Sequence, residues 1–148
     1  MYSGSAKDAN AVVYERGTLD LEFVVDKAAY AYYTHDANEA AYLAAFLNSD
    51  AANEAMKPFQ SSGLFGARDV SRKILDVPLP RFDASNPLHM GLAEQARACA
   101  VEVARYIDQQ QLGSQDYNVG KVRLYVRQTL LRPQLTAIDA LLRELLGL

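Results

Sequence analysis

The sequence predicts an α+β fold, in which a small N-terminal sheet with short helices is followed by long C-terminal amphipathic helices. Alternating and β-branched apolar runs at residues 11–17 and 19–26 favour strands. From Pro87 onwards, apolar residues recur every three or four positions, which is typical of helices with one buried face. The chain has 148 residues, of which 50% are hydrophobic, so one compact domain with a substantial core is expected.

The N-terminal part predicts strands. AVVYERG (11–17) and LDLEFVVD (19–26) are interpreted as two strands that join at Gly17-Thr18. Segment 27–35 contains alanines, which favour a helix, and tyrosines, which favour a third strand. We favour the strand because it continues the pattern before it. Residues 1–10 are mostly polar and small and are predicted to be a flexible start.

Helix signals begin after residue 35. Asp36 or Asn38 can cap a helix whose first turn contains Glu39. Its apolar face is predicted to consist of Ala40, Leu43, Ala44 and Leu47. Residues 48–50 (NSD) form a break with capping side chains. A short helix then restarts at 51–59 and is expected to end near Lys57, because a proline follows that residue.

The next segment combines a turn and a strand prediction. Gly63 to Gly66 is a glycine-rich turn, residues 69–73 favour a helical turn, and ILDVPLP (74–80) predicts a short strand that its prolines place at an edge. The chain divides at this point into residues 11–84, an α/β portion, and residues 85–148, a helical arm or docking portion. Both are expected to belong to one domain.

The C-terminal portion predicts two long helices. Ser85 or Asn86 can cap the first, and Pro87 suits its first position. A stripe continues to about residue 111 and consists of Leu88, Leu92, Ala96, Cys99, Val103 and Ile107. Residues 112–120 are predicted to be a loop, and 121–131 fits either a strand or a helix. Pro133 begins the last helix, whose stripe consists of Leu135, Ile138, Leu141, Leu142 and Leu145.

Positive charge is concentrated around the glycine-rich turn. The whole chain has a net charge of −3. Segment 57–81 nevertheless has two acidic residues, Asp69 and Asp76, and five basic ones: Lys57, Arg68, Arg72, Lys73 and Arg81. A local basic patch on an acidic body can attract an anion to one face. Chance fluctuation of charge along the chain is the alternative explanation.

Several classes of site and location are not expected. The start is polar and no apolar run is long enough to span a membrane, so a soluble cytoplasmic protein is predicted. Cys99 is the only cysteine, and His35 and His89 are far apart, so no metal site is expected. No nucleophile motif or phosphate-cradling motif occurs. Catalysis is therefore not expected in this chain.

An ordered string of motifs between residues 42 and 89 resembles a known protein family. Leu47-Asn48-Ser49 ends one helix, a short helix and a Gly/Ser turn follow, and a segment ending in Pro-Leu-Pro (78–80) leads to the long helix. This order is similar to the C-terminal target-recognition region of adenine-N6 DNA methyltransferases of type I and type IIG restriction–modification systems. It is also similar to the DNA-specificity subunits of type I systems. The resemblance covers roughly residues 20–110.

The resemblance implies a DNA target-recognition domain without catalysis of its own. The methyltransferase signature Asn/Asp-Pro-Pro-Tyr and the glycine-rich loop for S-adenosylmethionine are both missing. S-adenosylmethionine is therefore expected on a catalytic domain or partner subunit. The other expected partners are double-stranded DNA and, through the C-terminal helices, a second copy of the chain. The implied DNA-binding residues are Lys57, Gln60, Ser61, Ser62, Gly63, Arg68, Arg72 and Lys73.

Each assignment has an alternative. Glycine lets backbone N–H groups approach phosphates, and Ser and Gln can donate to phosphates or base edges. Residues 60–62 could instead only cap a helix end, and Arg72 could pair with Asp69 or Asp76. Leu64 and Phe65 favour a hydrophobic plug over a wedge between bases. The alternative function is a helical module that docks a methyltransferase or restriction subunit.

Overall fold

The computed structural model describes residues 1–3, 8–18, 25, 29–59, 62–63, 66–67, 73–112 and 117–148. At Ser3, residues 62–63, residues 66–67 and Lys73 it describes the backbone only. The predicted strand at 19–26 and the helical turn at 69–73 lie almost entirely outside the described residues.

The structure is mostly helical, which confirms the helical part of the predicted fold class. The described residues form five α-helices: α1 (Ala37–Asn48), α2 (Asp50–Met56), α3 (Pro87–Gln109), α4 (Val119–Tyr125) and α5 (Arg132–Leu146). Two 3₁₀ helices, Lys57–Phe59 and Lys73–Asp76, flank the glycine-rich segment, and a π-helical turn, Val126–Leu130, joins α4 to α5.

The predicted small N-terminal sheet is not shown. Strand β1 (Tyr2–Ser3) pairs antiparallel with β2 (Ala29–Tyr30) over two residues. The strand predicted at 11–17 is wrong, since only Ala11 forms a bridge, to Tyr2, and the chain turns at 16–17. Val12 and Val13 are exposed, so the β-branched run lacks the packed surface that makes such residues favour strands. Segment 27–35 contains β2, as favoured, although most of its described residues are irregular.

Helix α1 begins as predicted but buries a different face. The Asp36 carboxylate accepts hydrogen bonds from the backbone N–H groups of Asn38 (2.8 Å) and Glu39 (3.3 Å). Of the four residues predicted to be buried, only Leu47 is fully buried. The other buried positions are Ala41, Tyr42, Ala45 and Phe46. The sequence AAYLAAFL is apolar all round, so the two large aromatic side chains, spaced four apart, determine which face packs inward.

The break at residues 48–50 is confirmed. Ser49 is both the C-cap of α1 and the N-cap of α2, and its hydroxyl accepts a hydrogen bond from the Ala52 N–H (3.0 Å). Helix α2 ends at Met56, one residue before the predicted end, and a 3₁₀ turn follows through Pro58.

The strand predicted at residues 74–80 is wrong. The segment begins with the 3₁₀ helix Lys73–Asp76 and continues without regular structure to residue 83. Ile74 and Val77 are buried, three positions apart, as suits one turn of 3₁₀ helix packed on a single surface. Pro78 and Pro80 have no N–H groups to donate to a neighbouring strand.

The two long C-terminal helices are confirmed, and the segment that fitted either a strand or a helix is helical. Asn86 caps α3 and Pro87 begins it, while residues 121–131 are helical. The α3 stripe is inward-facing for its first four turns, but Ile107 is largely exposed. In α5, Leu135, Ile138 and Leu142 are buried, as predicted. Helix α5 ends at Gly147, whose φ of 67° is the left-handed conformation that glycine adopts most readily.

The core lies where α1, α2, α3 and α5 meet. Helix α1 packs along α3, α3 packs along α5, and α2 packs on α1 and α5. The α/β portion and the helical portion therefore share one core. The described ends of the predicted flexible start join the same core, because Tyr2 and Ala9 are buried. No helix in the described ranges is long and apolar enough to cross a membrane.

Candidate functional site

The glycine-rich segment leaves α2 and returns to it. At its start, Met56 is fully buried at the end of α2, and Lys57–Phe59 continue as a 3₁₀ turn packed on that helix. At its end, the 3₁₀ turn Lys73–Asp76 packs on α2 as well, through the fully buried Ile74. Both ends of the segment are thus fixed to one helix.

Between these anchors the chain forms a hairpin. Strand β3 (Ser62–Gly63) pairs antiparallel with β4 (Gly66–Ala67), in the register Ser62 with Ala67 and Gly63 with Gly66. We call these four residues the glycine hairpin. The two glycines of the predicted turn therefore lie on paired strands, Gly63 on β3 and Gly66 on β4. A pair of glycines has no Cβ atoms to cover its backbone groups, which permits close approach of a ligand.

Half of the predicted DNA-binding residues lie in the described part of the chain. Lys57 is exposed beside α2, Ser62 and Gly63 lie on β3, and the backbone of Lys73 begins the returning 3₁₀ turn. The remaining four lie outside the described residues: Gln60, Ser61, Arg68 and Arg72. The structure thus brings Lys57 and the backbone of Lys73 to one helix. We call residues 57–73, which these two lysines bound, the hairpin segment.

The Leu-Asn-Ser motif forms the corner that orients α2. Asn48 uses both ends of its amide on Ala11, accepting from the Ala11 N–H (2.9 Å) and donating to its carbonyl (2.9 Å). The Ser49 hydroxyl donates to the Phe46 carbonyl (2.8 Å) while it caps α2. Because Ser49 is completely buried, both hydrogen bonds are shielded from water. The motif holds the two helices at a fixed angle.

Asn53 ties the start of the chain to the same corner. It is 2% exposed, and its Oδ1 accepts from the Ala9 N–H at 2.6 Å. Its Nδ2 donates to the carbonyls of Ser49 (2.7 Å) and Leu47 (3.3 Å). All hydrogen-bonding atoms of this buried amide group therefore have partners, as a stable polar group in a core requires.

The segment that ends in Pro-Leu-Pro is fixed against α1 and α3. The Tyr42 hydroxyl donates to the Pro80 carbonyl (2.9 Å), and burial raises the pKa of Tyr42 to about 12. The rings of Phe82 and His89 lie 5.6 Å and 4.8 Å from the Tyr42 ring, between centroids. This aromatic cluster carries the chain from the hairpin segment to the start of α3.

His89 acts here as a buried structural acceptor. Its Nδ1 accepts a hydrogen bond from the Asp83 N–H (3.0 Å), so the neutral ring carries its proton on Nε2. That Nε2 is buried and has no hydrogen-bond partner among the described residues. Hydrogen bonds from the Ser85 hydroxyl and N–H lower the pKa of the nearby Asp83 carboxyl.

Ion pairs join α2 to the C-terminal helices. Asp50, at the start of α2, pairs with Arg127 and lies 3.8 Å from Arg132. Glu54, one turn later, pairs with Arg143 at 3.0 Å. The Asp139 carboxylate of α5 also accepts a hydrogen bond from the N–H of Ala51 in the first turn of α2 (3.0 Å). A negative charge at this end of the helix stabilises the positive end of its dipole. Helices α2 and α5 therefore run in the same direction.

A shallow apolar groove of about 170 Å³ lies at the base of the hairpin segment. Phe59 lines it near the start of that segment and Val77 just after its end, and Leu146 of α5 and Leu148 beyond that helix line the other side. Asp76 is the one charged residue in the lining. The groove places the hairpin base beside the C-terminal end of α5.

A second basic surface was missed from the sequence. Segment 117–138 contains no acidic residue and has four basic ones: Lys121, Arg123, Arg127 and Arg132. Leu124 and Tyr125 lie among them and are 56% and 43% exposed. The ambiguity between strand and helix at 121–131 hid this surface. A count of charges marks the segment as basic, but only the helix shows which side chains share an exposed face.

No group of three or more His, Cys, Asp or Glu side chains within the described residues could hold a metal ion. Cys99 is half-buried against the core, and burial raises the pKa of its thiol. The buried polar groups of the α1–α2 corner are engaged in hydrogen bonds within the protein. The arrangement therefore supports presentation of a loop from a rigid frame.

Comparison with known proteins gives no match to a family model, to a curated protein or to a solved structure.

Proposed function

We propose that this chain is a DNA target-recognition domain of a restriction–modification adenine methyltransferase and binds duplex DNA through segment 57–73. The observation that supports the proposal is the packing on α2 of the 3₁₀ turns Lys57–Phe59 and Lys73–Asp76, which stand before and after the glycine hairpin. A loop that reads DNA has to be held in a fixed position, because base contacts depend on geometry to within a fraction of an ångström.

The residues that carry the family resemblance support this reading through their structural roles. Asn48 and Ser49 form the corner that orients α2, and Pro80 accepts the hydrogen bond from Tyr42. These contacts frame the hairpin segment. Motifs of this kind would recur in proteins that present different recognition loops from the same frame.

The chemistry assigned to the segment follows from its composition. Arg68, Arg72 and Lys73 supply positive charge, and arginine can form paired hydrogen bonds with phosphate or guanine. Gln60, Ser61 and Ser62 can donate to phosphates or base edges, and Gly63 leaves the backbone accessible. S-adenosylmethionine and the methyl transfer would belong to a catalytic partner, and the setting would be the cytoplasm.

The test is selection from a pool of random-sequence duplexes, with the complete chain and an Arg68→Ala/Arg72→Ala/Lys73→Ala variant. Enrichment of a shared sequence by the chain, lost in the variant, is the expected result. A Lys121→Ala/Arg123→Ala variant is the matched control, since it removes basic residues elsewhere, and it should enrich the same sequence. Equal retention of DNA by the chain and the triple variant would contradict the proposal.

A second candidate function is a helical module that docks a methyltransferase or restriction subunit without touching bases. It is favoured by exposed apolar side chains on α3 and α4, namely Val101, Ile107, Val119, Leu124 and Tyr125. Salt separates the two candidates. Binding to phosphates weakens steeply as salt increases, whereas apolar docking does not.

A further inference from the structure

The short helix α4 presents an apolar and basic surface that the core does not use. None of its residues is fully buried, and its inward side chains, such as Val122, are only partly covered. The Tyr125 ring packs at a tilt against Tyr106 of α3, with ring centroids 5.1 Å apart, and this contact helps to hold α4 in place. Helix α4 is therefore held against α3 although it contributes no fully buried side chain to the core.

The exposed side chains of α4 form one continuous surface. Lys121 precedes Leu124 by three positions and Tyr125 by four, so the three side chains share a face of the helix. Arg123 lies about 100° around the helix from Leu124, at the edge of the exposed side. We call these four residues the α4 stripe. Tyrosine and arginine are enriched at protein–protein interfaces, and the exposed leucine beside them adds apolar area that a partner can cover.

The two basic side chains of the α4 stripe are available to a partner. Arg127 is engaged with Asp50, but Lys121 and Arg123 form no ion pair with any described residue. No acidic residue occurs anywhere in segment 117–138. The surface therefore combines two exposed apolar side chains with two basic side chains that form no ion pair within the described residues.

The α4 stripe and the base of the hairpin segment are connected to opposite ends of α5. Helix α4 leads into the N-terminal end of α5, where Arg132 approaches Asp50, whereas the hairpin base lies against Leu146 at the opposite end. These two positions on α5 are about 21 Å apart at the rise of an α-helix. A ligand at the hairpin would thus leave the α4 stripe free for another partner.

We infer that the α4 stripe is the docking surface for an amphipathic helix of a partner protein, with an apolar ridge and acidic flanks. Leu124 and Tyr125 would pack into the grooves beside the apolar ridge of the partner helix, because the ridges of one helix fit into the grooves between the side chains of a facing helix. Lys121 and Arg123 would face the acidic flanks. A duplex fits less well, because Leu124 would lie against a polyanion with no hydrogen bond to offer. The inference deepens the docking part of the proposed function and does not require the hairpin to bind DNA.

The experiment uses a fluorescein-labelled acidic amphipathic peptide of about 20 residues, long enough to form a helix. Its leucines recur at i, i+3, i+4 and i+7, and most other positions are glutamate. A scrambled peptide of the same composition is the first control. Fluorescence anisotropy measures binding to the complete chain and to two variants, Leu124→Ser/Tyr125→Ser and Lys121→Glu/Arg123→Glu, whose folding is checked by circular dichroism and thermal melting.

Protein controls carry matched changes at other surfaces. Val12→Ser removes an equally exposed apolar side chain near the start of the chain, and Lys57→Glu reverses a charge at the base of the hairpin segment. We expect the striped peptide to bind, with at least about a tenfold loss of affinity in both α4 variants and no loss in either control. Lys57→Glu should reduce binding to DNA and leave binding of the peptide unchanged. Failure of the docking inference and failure of the DNA proposal are therefore seen in separate measurements.

Four results would overturn the inference. The first is that the striped peptide does not bind, and the second is that the scrambled peptide binds equally well. The third is that the α4 variants lose binding to duplex DNA while their binding of the peptide is unchanged. The fourth is self-association of the chain, seen in sedimentation, that Leu124→Ser abolishes. That last result would make a second copy of the chain the occupant of the surface.

Discussion

The hydroxyl of Tyr42 in α1 donates a hydrogen bond of 2.9 Å to the carbonyl of Pro80, which lies 38 residues later in the chain. Replacing Tyr42 with phenylalanine should lower the free energy of unfolding at pH 7 by about 0.5–1.5 kcal/mol, the usual net contribution of one hydrogen bond, because Tyr42 is buried while Pro80 is exposed. Urea unfolding followed by circular dichroism measures this. Tyr117→Phe, at an exposed position, should have no effect; equal effects would contradict the role of the hydrogen bond.

The same tyrosine predicts a pH dependence. Burial raises the pKa of Tyr42 to about 12, above its ordinary value of about 10. The folded state therefore favours the protonated phenol. Its stabilising contribution is complete below about pH 10 and is lost as the pH rises towards 12. The stability difference between the natural chain and Tyr42→Phe should shrink across this window in unfolding curves measured at several pH values. A difference that stays constant would show that Tyr42 ionises normally.

Asn53 is predicted to be the most sensitive polar position of the α1–α2 corner. Its replacement by alanine leaves the buried Ala9 N–H without a partner and removes two further hydrogen bonds. The expected loss in the free energy of unfolding is about 3 kcal/mol. Asn10→Ala is the matched control, since Asn10 is exposed and bonds only to the Asp8 carbonyl; its loss should be within about 0.5 kcal/mol. Similar losses of stability in Asn53→Ala and Asn10→Ala would contradict the role of Asn53 in holding the α1–α2 corner.

Gly91 should tolerate a methyl group. It lies in the interior of α3, and a Cβ atom there would meet the Leu141 side chain of α5 at 3.4 Å, which is ordinary contact. Gly91→Ala should therefore raise the free energy of unfolding by about 0.5–1 kcal/mol, because alanine restricts the unfolded chain and favours the helix. Gly91→Val should lower it by forcing α3 and α5 apart. Thermal melting that shows Gly91→Ala to be destabilising would mean that the two helices pack more tightly than described.

The sequence was sufficient for the helices whose limits are set locally. The Asp36, Ser49 and Asn86 caps and the prolines at 58, 87 and 133 act within a few residues, and the elements that they bound were predicted closely. The buried face of α1 was predicted wrongly because nearly every position is apolar and tertiary packing decides between them. The strand at 74–80 failed for a related reason: its apolar residues pack on α2, and no adjacent strand among the described residues pairs with it.

The candidate site could be proposed from composition, but the contacts that support it could not. Glycines and basic residues single out segment 57–73, because composition alone predicts a positively charged turn. The anchoring of that segment by Met56 and Ile74 depends on contacts with α2 that no short pattern specifies. The α4 stripe was missed because its charge count only gains meaning once α4 is known to be a helix with no fully buried residue.

The measurement that most directly tests the central claim is the salt dependence of binding to the duplex that the chain enriches. Each phosphate contact contributes a slope of about −0.9 to the logarithm of the binding constant plotted against the logarithm of salt concentration. The Arg68→Ala/Arg72→Ala/Lys73→Ala variant should therefore have a slope that is shallower by about 2–3 units. Lys121→Ala/Arg123→Ala should leave the slope unchanged. A slope that is the same in the chain and in the triple variant, or that changes only in the α4 variant, would show that segment 57–73 does not bind DNA.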